Sequence, residues 1–188
     1  IGLALPEKTI RAAEEITRAF GAAARIATIQ KKNVAIVLTG SANGRARVEK
    51  LFLPPMRARM VEAGAHVIAE DFVAEEEPVI ADAIERAVQR GAQMILLAGE
   101  TSIMDAQDIT PRGIARAGAV IEVYGAPVEP GNLMLLAYRD AVPIIGAPGC
   151  IKSRETNVVD LILPRLFIGE RVSRADVNAL AEGGLLAH

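Results

Sequence analysis

The chain has no tryptophan, and aromatic residues make up only 3% of its 188 positions. Proteins that grip single-stranded nucleic acid stack bases on aromatic side chains, so that class is disfavoured. The formal net charge is −2, and no basic tract is long enough to neutralise a phosphate backbone. No nucleic-acid partner is expected. No apolar run reaches the ~18 residues of a membrane-spanning helix, so no membrane partner is expected either. There is one cysteine, Cys150, which rules out an internal disulfide, and no Cys/His cluster has zinc-site spacing. A reducing, cytoplasmic setting fits this usage. No signal-peptide pattern is present. The first residue is Ile1 rather than Met, which leads us to expect a longer parent chain whose N-terminal region is a further partner.

What is abundant is aliphatic. Hydrophobic residues make up 51% of the chain, so Ile, Leu, Val and Ala must build the core. Ile10, Ala13, Ile16 and Phe20 recur at helical spacing after Pro6, and Gly21 closes that run. An Ala-rich connector reaches Lys32. Val34 to Leu38 is a continuous β-branched run, read as a central strand. A turn at Thr39-Gly40-Ser41-Ala42-Asn43-Gly44 follows it. A helix is expected to begin near Pro54-Pro55, because proline favours the first helical turn, with Met56, Met60 and Val61 on its apolar face and Gly64 as its stop. His66 to Val73 reads as a strand at the flank of a sheet. Glu75-Glu76-Glu77-Pro78 opens a helix where the dipole favours acids, and Gly91 ends it.

Met94 to Ala98 reads as a buried strand. Its loop, Gly99 to Asp108, leads to a helix expected to have Thr110 as N-cap and Pro111 at the first helical position. A loop at the carboxyl end of a buried parallel strand is where open α/β sheets place ligands. Asp108 fits a helix-capping duty as well as a functional one, whereas Asp105 has no such local duty. Val120 to Tyr124 is a further strand, and 125–132 is a turn-rich loop. The runs 133–138 and 142–146 suggest an antiparallel hairpin. Ala147 to Arg154 then leads to a helix expected from Glu155 to about Ile168, broken or kinked at Pro164 and ended by Gly169. In this reading Lys152, Ser153 and Arg154 stand at the helix N-terminus and ask for a compensating anion. Cys150 reads as a small residue in a tight turn. Ser173 and Asp176 have capping-box spacing, and Gly183-Gly184 precede an apolar tail. Alternating strands and helices predict an α/β fold with a mostly parallel sheet, helices on both faces and one antiparallel hairpin at the edge. The expected organisation is an N-terminal helix and linker over 1–32, a domain over 33–172, and a C-terminal helix and tail over 173–188.

The ordered set Thr39-Gly40, Gly99…Asp105…Asp108-Ile109-Thr110-Pro111, Pro130-Gly131-Asn132 and Pro143-Ile144-Ile145-Gly146-Ala147-Pro148-Gly149-Cys150 resembles the molybdopterin-binding domain. That domain is shared by molybdopterin adenylyltransferase, molybdenum insertase and the competence-damage-type proteins. The Pro-Gly-Cys loop resembles a bacterial molybdopterin-binding-protein branch, whose end is matched here by Ala175-Asp176 and Gly183-Gly184-Leu185. The resemblance implies a three-layer α/β/α fold. It also implies a pocket at the carboxyl ends of the strands for a small-molecule pterin phosphate, with Mg²⁺ and ATP or AMP as further cofactors.

Carried over, it makes Gly99, Ser102, Asp105, Asp108 and Thr110 the acidic loop, flanked by Glu100 and Thr101. Asp105 and Asp108 become the catalytic acids and metal ligands. Pro148, Gly149 and Ser153 match the Pro-Gly-x-x-x-Ser loop, with Cys150, Lys152 and Arg154 inside or beside it. Thr39 and Gly40, followed by Ser41, match the first loop. Two departures matter: the acid that family catalysts carry after Thr-Gly is replaced by Ser41 and Ala42, and the second loop has one glycine before Glu100. The expected function is therefore a molybdopterin-binding module in cofactor biosynthesis or delivery, with weakened or absent catalysis. The alternatives are an active Mg²⁺-dependent adenylyltransferase or insertase, a nucleotide-processing enzyme of the competence-damage type, and a homo-oligomeric scaffold with a decayed site.

Overall fold

The structure, a computed structural model, describes residues 4–21, 26–101, 103–181 and 184. Ser102, Gly183, residues 22–25 of the Ala-rich connector, the tail from Leu185 and the side chain of Phe20 lie outside the described residues. The β-branched and aliphatic runs form a six-stranded sheet in the order β2-β1-β3-β6-β5-β4. Its strands are β1 (Asn33–Thr39), β2 (His66–Val73), β3 (Met94–Gly99), β4 (Val120–Tyr124), β5 (Leu135–Arg139) and β6 (Val142–Gly146). β1 pairs in parallel with β2 and β3, and β3 in parallel with β6. β5 runs antiparallel to both β6 and β4. The β5–β6 hairpin thus carries the sheet from its parallel half towards the β4 edge, with Asp140 at φ 54 in the turn.

Side chains alternate across the pleat, which divides the core in two. Ile36, Leu38, Leu96 and Ile145 face one apolar cluster, shared with Val48, Met56, Val158, Ile162 and Val177. Ala35, Val37, Leu97 and Ile144 face the other, shared with Ile80, Ile84 and Ile114. The first cluster is covered by α2 (Arg45–Glu62), α5 (Val158–Phe167) and α6 (Arg174–Ala179), and the second by α3 (Glu77–Gln89) and α4 (Ile109–Arg116). This is the expected three-layer α/β/α arrangement. Gly64, Gly91 and Gly169 all have positive φ and follow the helices they were expected to end. Ser173 and Asp176 form the expected capping box. The first helix, α1 (Glu7–Phe20), also forms as expected. Its Ile10 and Ile16 remain exposed.

Four expectations are corrected. Helix α2 does not begin at Pro54-Pro55 but at Arg45, directly after Gly44, and carries both prolines inside it. Val61, expected on its apolar face, is 73% exposed, while Arg59 is buried in its place. Helix α4 begins at Ile109 with Asp108 as the N-cap, so Thr110 lies in the first turn and is buried. The last long helix begins not at Glu155 but at Val158, because Asn157 and Asp160 form a capping box there. Gly149–Lys152 instead forms a short 3₁₀ turn. Lys152, Ser153 and Arg154 are therefore not at a helix N-terminus.

Candidate functional site

Strands β1, β3 and β6 run parallel, so their carboxyl ends bring three loops to one rim of the sheet. Thr39 and Gly99 are register partners at this rim. The backbone there is close-packed: a Cβ on Gly99 would lie 2.2 Å from the Thr39 hydroxyl. Thr39 is completely buried, and its hydroxyl has no hydrogen-bond partner among the described residues.

The first loop turns sharply into α2. The Gly44 N–H donates to both the carbonyl and the hydroxyl of Ser41, each at 3.0 Å. Across the rim, Glu100 reaches into this turn. Its carboxylate accepts the Ser41 N–H and the Ser41 hydroxyl at 2.9 Å each, and the Arg47 guanidinium at 2.6 Å. These donors stabilise the ionised form. The Ser41 backbone contributes most, then its hydroxyl and Arg47, and together they hold the Glu100 carboxyl below the usual carboxylate range.

The second loop is shaped by its own acids. Asp108 accepts the backbone N–H groups of Met104 and Asp105 at 2.8 and 2.9 Å. These bonds, with a smaller contribution from Arg112, lower its pKa. Asp105 accepts the Gln107 N–H at 2.7 Å. Burial, and then the negative charges of Asp105 and Asp108, push the pKa of Tyr124 at the end of β4 up. Ile103 is buried on Gly146, where a Cβ would meet it at 2.6 Å. Thr101 donates its hydroxyl to Glu75 at the start of α3. Glu75, Thr101, Ile103, Met104, Asp108, Ile109 and Thr110 line a cavity of about 340 Å³.

The third loop is fixed from below by a residue that sequence reasoning missed. Arg59 on α2 is 5% exposed. It donates to the carbonyls of Ile151 at 3.0 Å, Ser153 at 2.9 Å and Glu155 at 3.2 Å. It also bonds both oxygens of Asp160, at 2.6 and 3.2 Å. The guanidinium fork spreads its donors in a plane, which suits several carbonyls and a carboxylate at once. Pro148 is buried, and Gly149 and Cys150 are half-buried. Burial pushes the Cys150 thiol up, away from the reactive thiolate. The Ser153 hydroxyl accepts the Glu155 N–H at 3.1 Å. Arg154 is paired with Glu62, whereas Lys152 is exposed and has no partner among the described residues.

The structure thus brings Thr39, Gly40, Ser41, Gly99 and Glu100 together at the rim, where Glu100 accepts from Ser41 and donates its N–H to the Thr39 carbonyl. Thr101, Asp108 and Thr110 line the neighbouring cavity, and the third loop is held separately on α2. Among the described residues, no three His, Cys, Asp or Glu side chains come together as metal ligands. Asp105 and Asp108 spend carboxylate oxygens on local backbone N–H groups. These residues do not fit a resident metal. The signal for Arg59 was faint: two arginines, Arg57 and Arg59, stand between Met56 and Met60, and only Arg59 falls on the buried face of the helix.

The chain is similar to known proteins in sequence pattern and in fold. A family model described as a probable molybdopterin binding domain matches residues 35–167. No curated protein sequence matches the chain. Among solved structures, the chain is 21% identical to the molybdopterin biosynthesis enzyme MoaB from Thermus thermophilus, with 72% of this chain and 91% of that one covered and a TM-score of 0.56. It is 14% identical to the CinA protein from Thermoplasma acidophilum, covering 70% and 96% of the two chains at a TM-score of 0.56. It is 21% identical to the molybdopterin biosynthesis MoeA protein from Pyrococcus horikosii, covering 74% of this chain at a TM-score of 0.52, and it spans only 35% of that protein. At these identities the likeness speaks for the fold. No helix among the described residues is long and apolar enough to cross a membrane.

Proposed function

Because the chain belongs to the family of probable molybdopterin-binding domains, we propose that it binds molybdopterin at the carboxyl ends of β1, β3 and β6 and serves in molybdenum cofactor biosynthesis or delivery. The observation that carries this reading is the cavity of about 340 Å³ beside β3, bordered by Thr101, Asp108 and Thr110. Pockets of this kind combine apolar walls with a few polar groups that fix orientation. Ile103, Met104 and Ile109 offer the apolar wall for a pterin ring. Thr101 and Thr110 offer hydroxyl groups for its polar edge. Lys152 is exposed without a partner among the described residues, and we assign it a charge-balancing role towards the anionic ligand. Gly149 and Pro148 shape the turn that presents it.

We read the module as a binder rather than a strong catalyst. Adenylyl transfer needs cations and donors held where charge develops. Here the rim acids are occupied: Asp108 and Asp105 by the loop backbone, Glu100 by Ser41 and Arg47. In this reading Asp108 gives the second loop its shape, and Asp105 supports it. A cytoplasmic setting and a homo-oligomeric state remain compatible proposals. Fluorescence titration with molybdopterin tests the binding claim, with saturable binding expected. A folded protein that shows none would overturn it. Incubation with molybdopterin, ATP and Mg²⁺ tests the catalytic claim. Adenylated product forming faster than with an Asp105→Ala variant would show an enzyme instead.

A further inference from the structure

We infer that Glu100 is a built-in competitor for the anion cradle of the first loop, so that an anionic ligand group reaches the Ser41 and Arg47 donors only by displacing its carboxylate. The inference deepens the binding role proposed above and rests on it. Three donors from two elements converge on one point: the Ser41 N–H, the Ser41 hydroxyl and the Arg47 guanidinium. All are groups that bind phosphate as readily as carboxylate. The space is built for an oxyanion. A Cβ on Gly44 would fall 2.4 Å from both Glu100 carboxylate oxygens, and a Cβ on Gly40 would lie 3.0 Å from the Glu100 Cβ. The two glycines therefore leave room that the carboxylate fills.

Glu100 does not belong to the loop it fills. It lies on the β3 loop, next to Thr101, which lines the cavity. When its side chain turns towards Ser41, it closes one loop over the other. A second observation marks this closed seam as a state open to change. The Thr39 hydroxyl is fully buried beneath the same two loops, at the Thr39–Gly99 register pair, with no hydrogen-bond partner among the described residues. A buried polar group without a partner is disfavoured. Loop opening that admits a ligand or water to this hydroxyl would relieve it. Like-charge repulsion opposes entry while Glu100 stays in place, since a phosphate approaching Arg47 meets the Glu100 carboxylate first.

Inorganic phosphate, titrated by calorimetry, serves as the probe. Glu100→Ala and Glu100→Gln variants are compared with the unaltered chain. Both are expected to bind phosphate about tenfold tighter or better, a difference of about 1.4 kcal/mol. Adding Arg47→Ala to Glu100→Ala should return the affinity to its starting level. If both variants keep the fold by circular dichroism and bind phosphate no better, the competitor role is wrong. The Glu100→Gln variant keeps a hydrogen-bond acceptor for Ser41, so it reports even if Glu100→Ala unfolds. The outcome separates from the pterin reading. Molybdopterin binding without a phosphate gain overturns this inference alone. A phosphate gain without molybdopterin binding supports the cradle and overturns the ligand class.

Discussion

Glu100 and Ser41 lie on different loops, yet the Glu100 carboxylate accepts both the backbone N–H and the hydroxyl of Ser41 at 2.9 Å. These bonds tie the carboxyl end of β3 to the turn after β1. A loop held by few contacts opens locally, and amide exchange reports that opening. Glu100→Ala is expected to speed exchange of the Ser41 amide by about tenfold, while amides in β1 stay protected. Unchanged exchange at Ser41 would show that the contact does not order the turn.

Arg59 anchors the third loop from α2. It is buried, and it satisfies three carbonyls of the third loop together with Asp160. Removing Arg59 leaves three loop carbonyls and the part-buried Asp160 without their shared donor. Arg59→Met is therefore expected to cost about 3–5 kcal/mol of unfolding free energy. Arg59→Lys keeps the charge but loses the fork, and should fall between the two. A chemical-denaturation midpoint unchanged by Arg59→Met would contradict this role.

Thr39 and Gly99 give a paired prediction of opposite sign. Thr39→Val removes a buried hydroxyl without a partner among the described residues, so it should be neutral or stabilise by about 1 kcal/mol. Gly99→Ala places a Cβ 2.2 Å from that hydroxyl and should cost about 1–3 kcal/mol. Thermal unfolding of the two variants checks both. A Thr39→Val variant less stable than the parent would mean that the hydroxyl has a partner in solution.

Acid should loosen this protein. Glu100, Asp108 and Asp176 all have pKa values lowered in the folded chain: Glu100 chiefly by the Ser41 N–H, Asp108 by the Asp105 N–H, and Asp176 by the Ser173 hydroxyl and then Arg165. A depressed folded pKa adds stability above the unfolded value, near 4 for these acids, and that stability fades as pH falls through the folded value. Urea midpoints should stay level from about pH 7 to about pH 5 and drop below about pH 4. Asp176→Asn should lower the neutral plateau and shrink that drop. An Asp176→Asn profile parallel to the parent would contradict the assignment.

Lys152 and Arg154 were grouped as anion binders from their spacing, and the structure separates them. Arg154 is paired with Glu62, and Lys152 has no partner among the described residues. Lys152→Ala should weaken molybdopterin binding, more so at low salt, where charge is least screened. Arg154→Ala should have the smaller effect. Equal losses in both, measured by fluorescence titration, would restore them as one cluster.

The sheet was legible because its signal is local. Val34 to Leu38 and Met94 to Ala98 are continuous aliphatic runs, and such runs read directly as buried strands. The glycines that stop helices at Gly64, Gly91 and Gly169 are local signals too. Pro54 and Pro55 misled because proline prefers a helix start, and nothing nearby in sequence shows that α2 already began at Arg45. The site was legible only in part. Its loops follow from the strands, but the bonds that shape it are long-range. Glu100 meets Ser41 across 59 positions, and Arg59 meets Asp160 across 101. Pairings of that kind depend on the fold, so local patterns do not announce them.

The central claim is that the rim formed by the β1, β3 and β6 loops binds molybdopterin. Amide chemical-shift mapping during a molybdopterin titration tests it most directly. The account predicts saturable shifts concentrated over residues 39–44, 99–110 and 147–153, with the α1 and β4 amides unmoved. No shifts in a folded protein, or shifts centred away from those three loops, would contradict it.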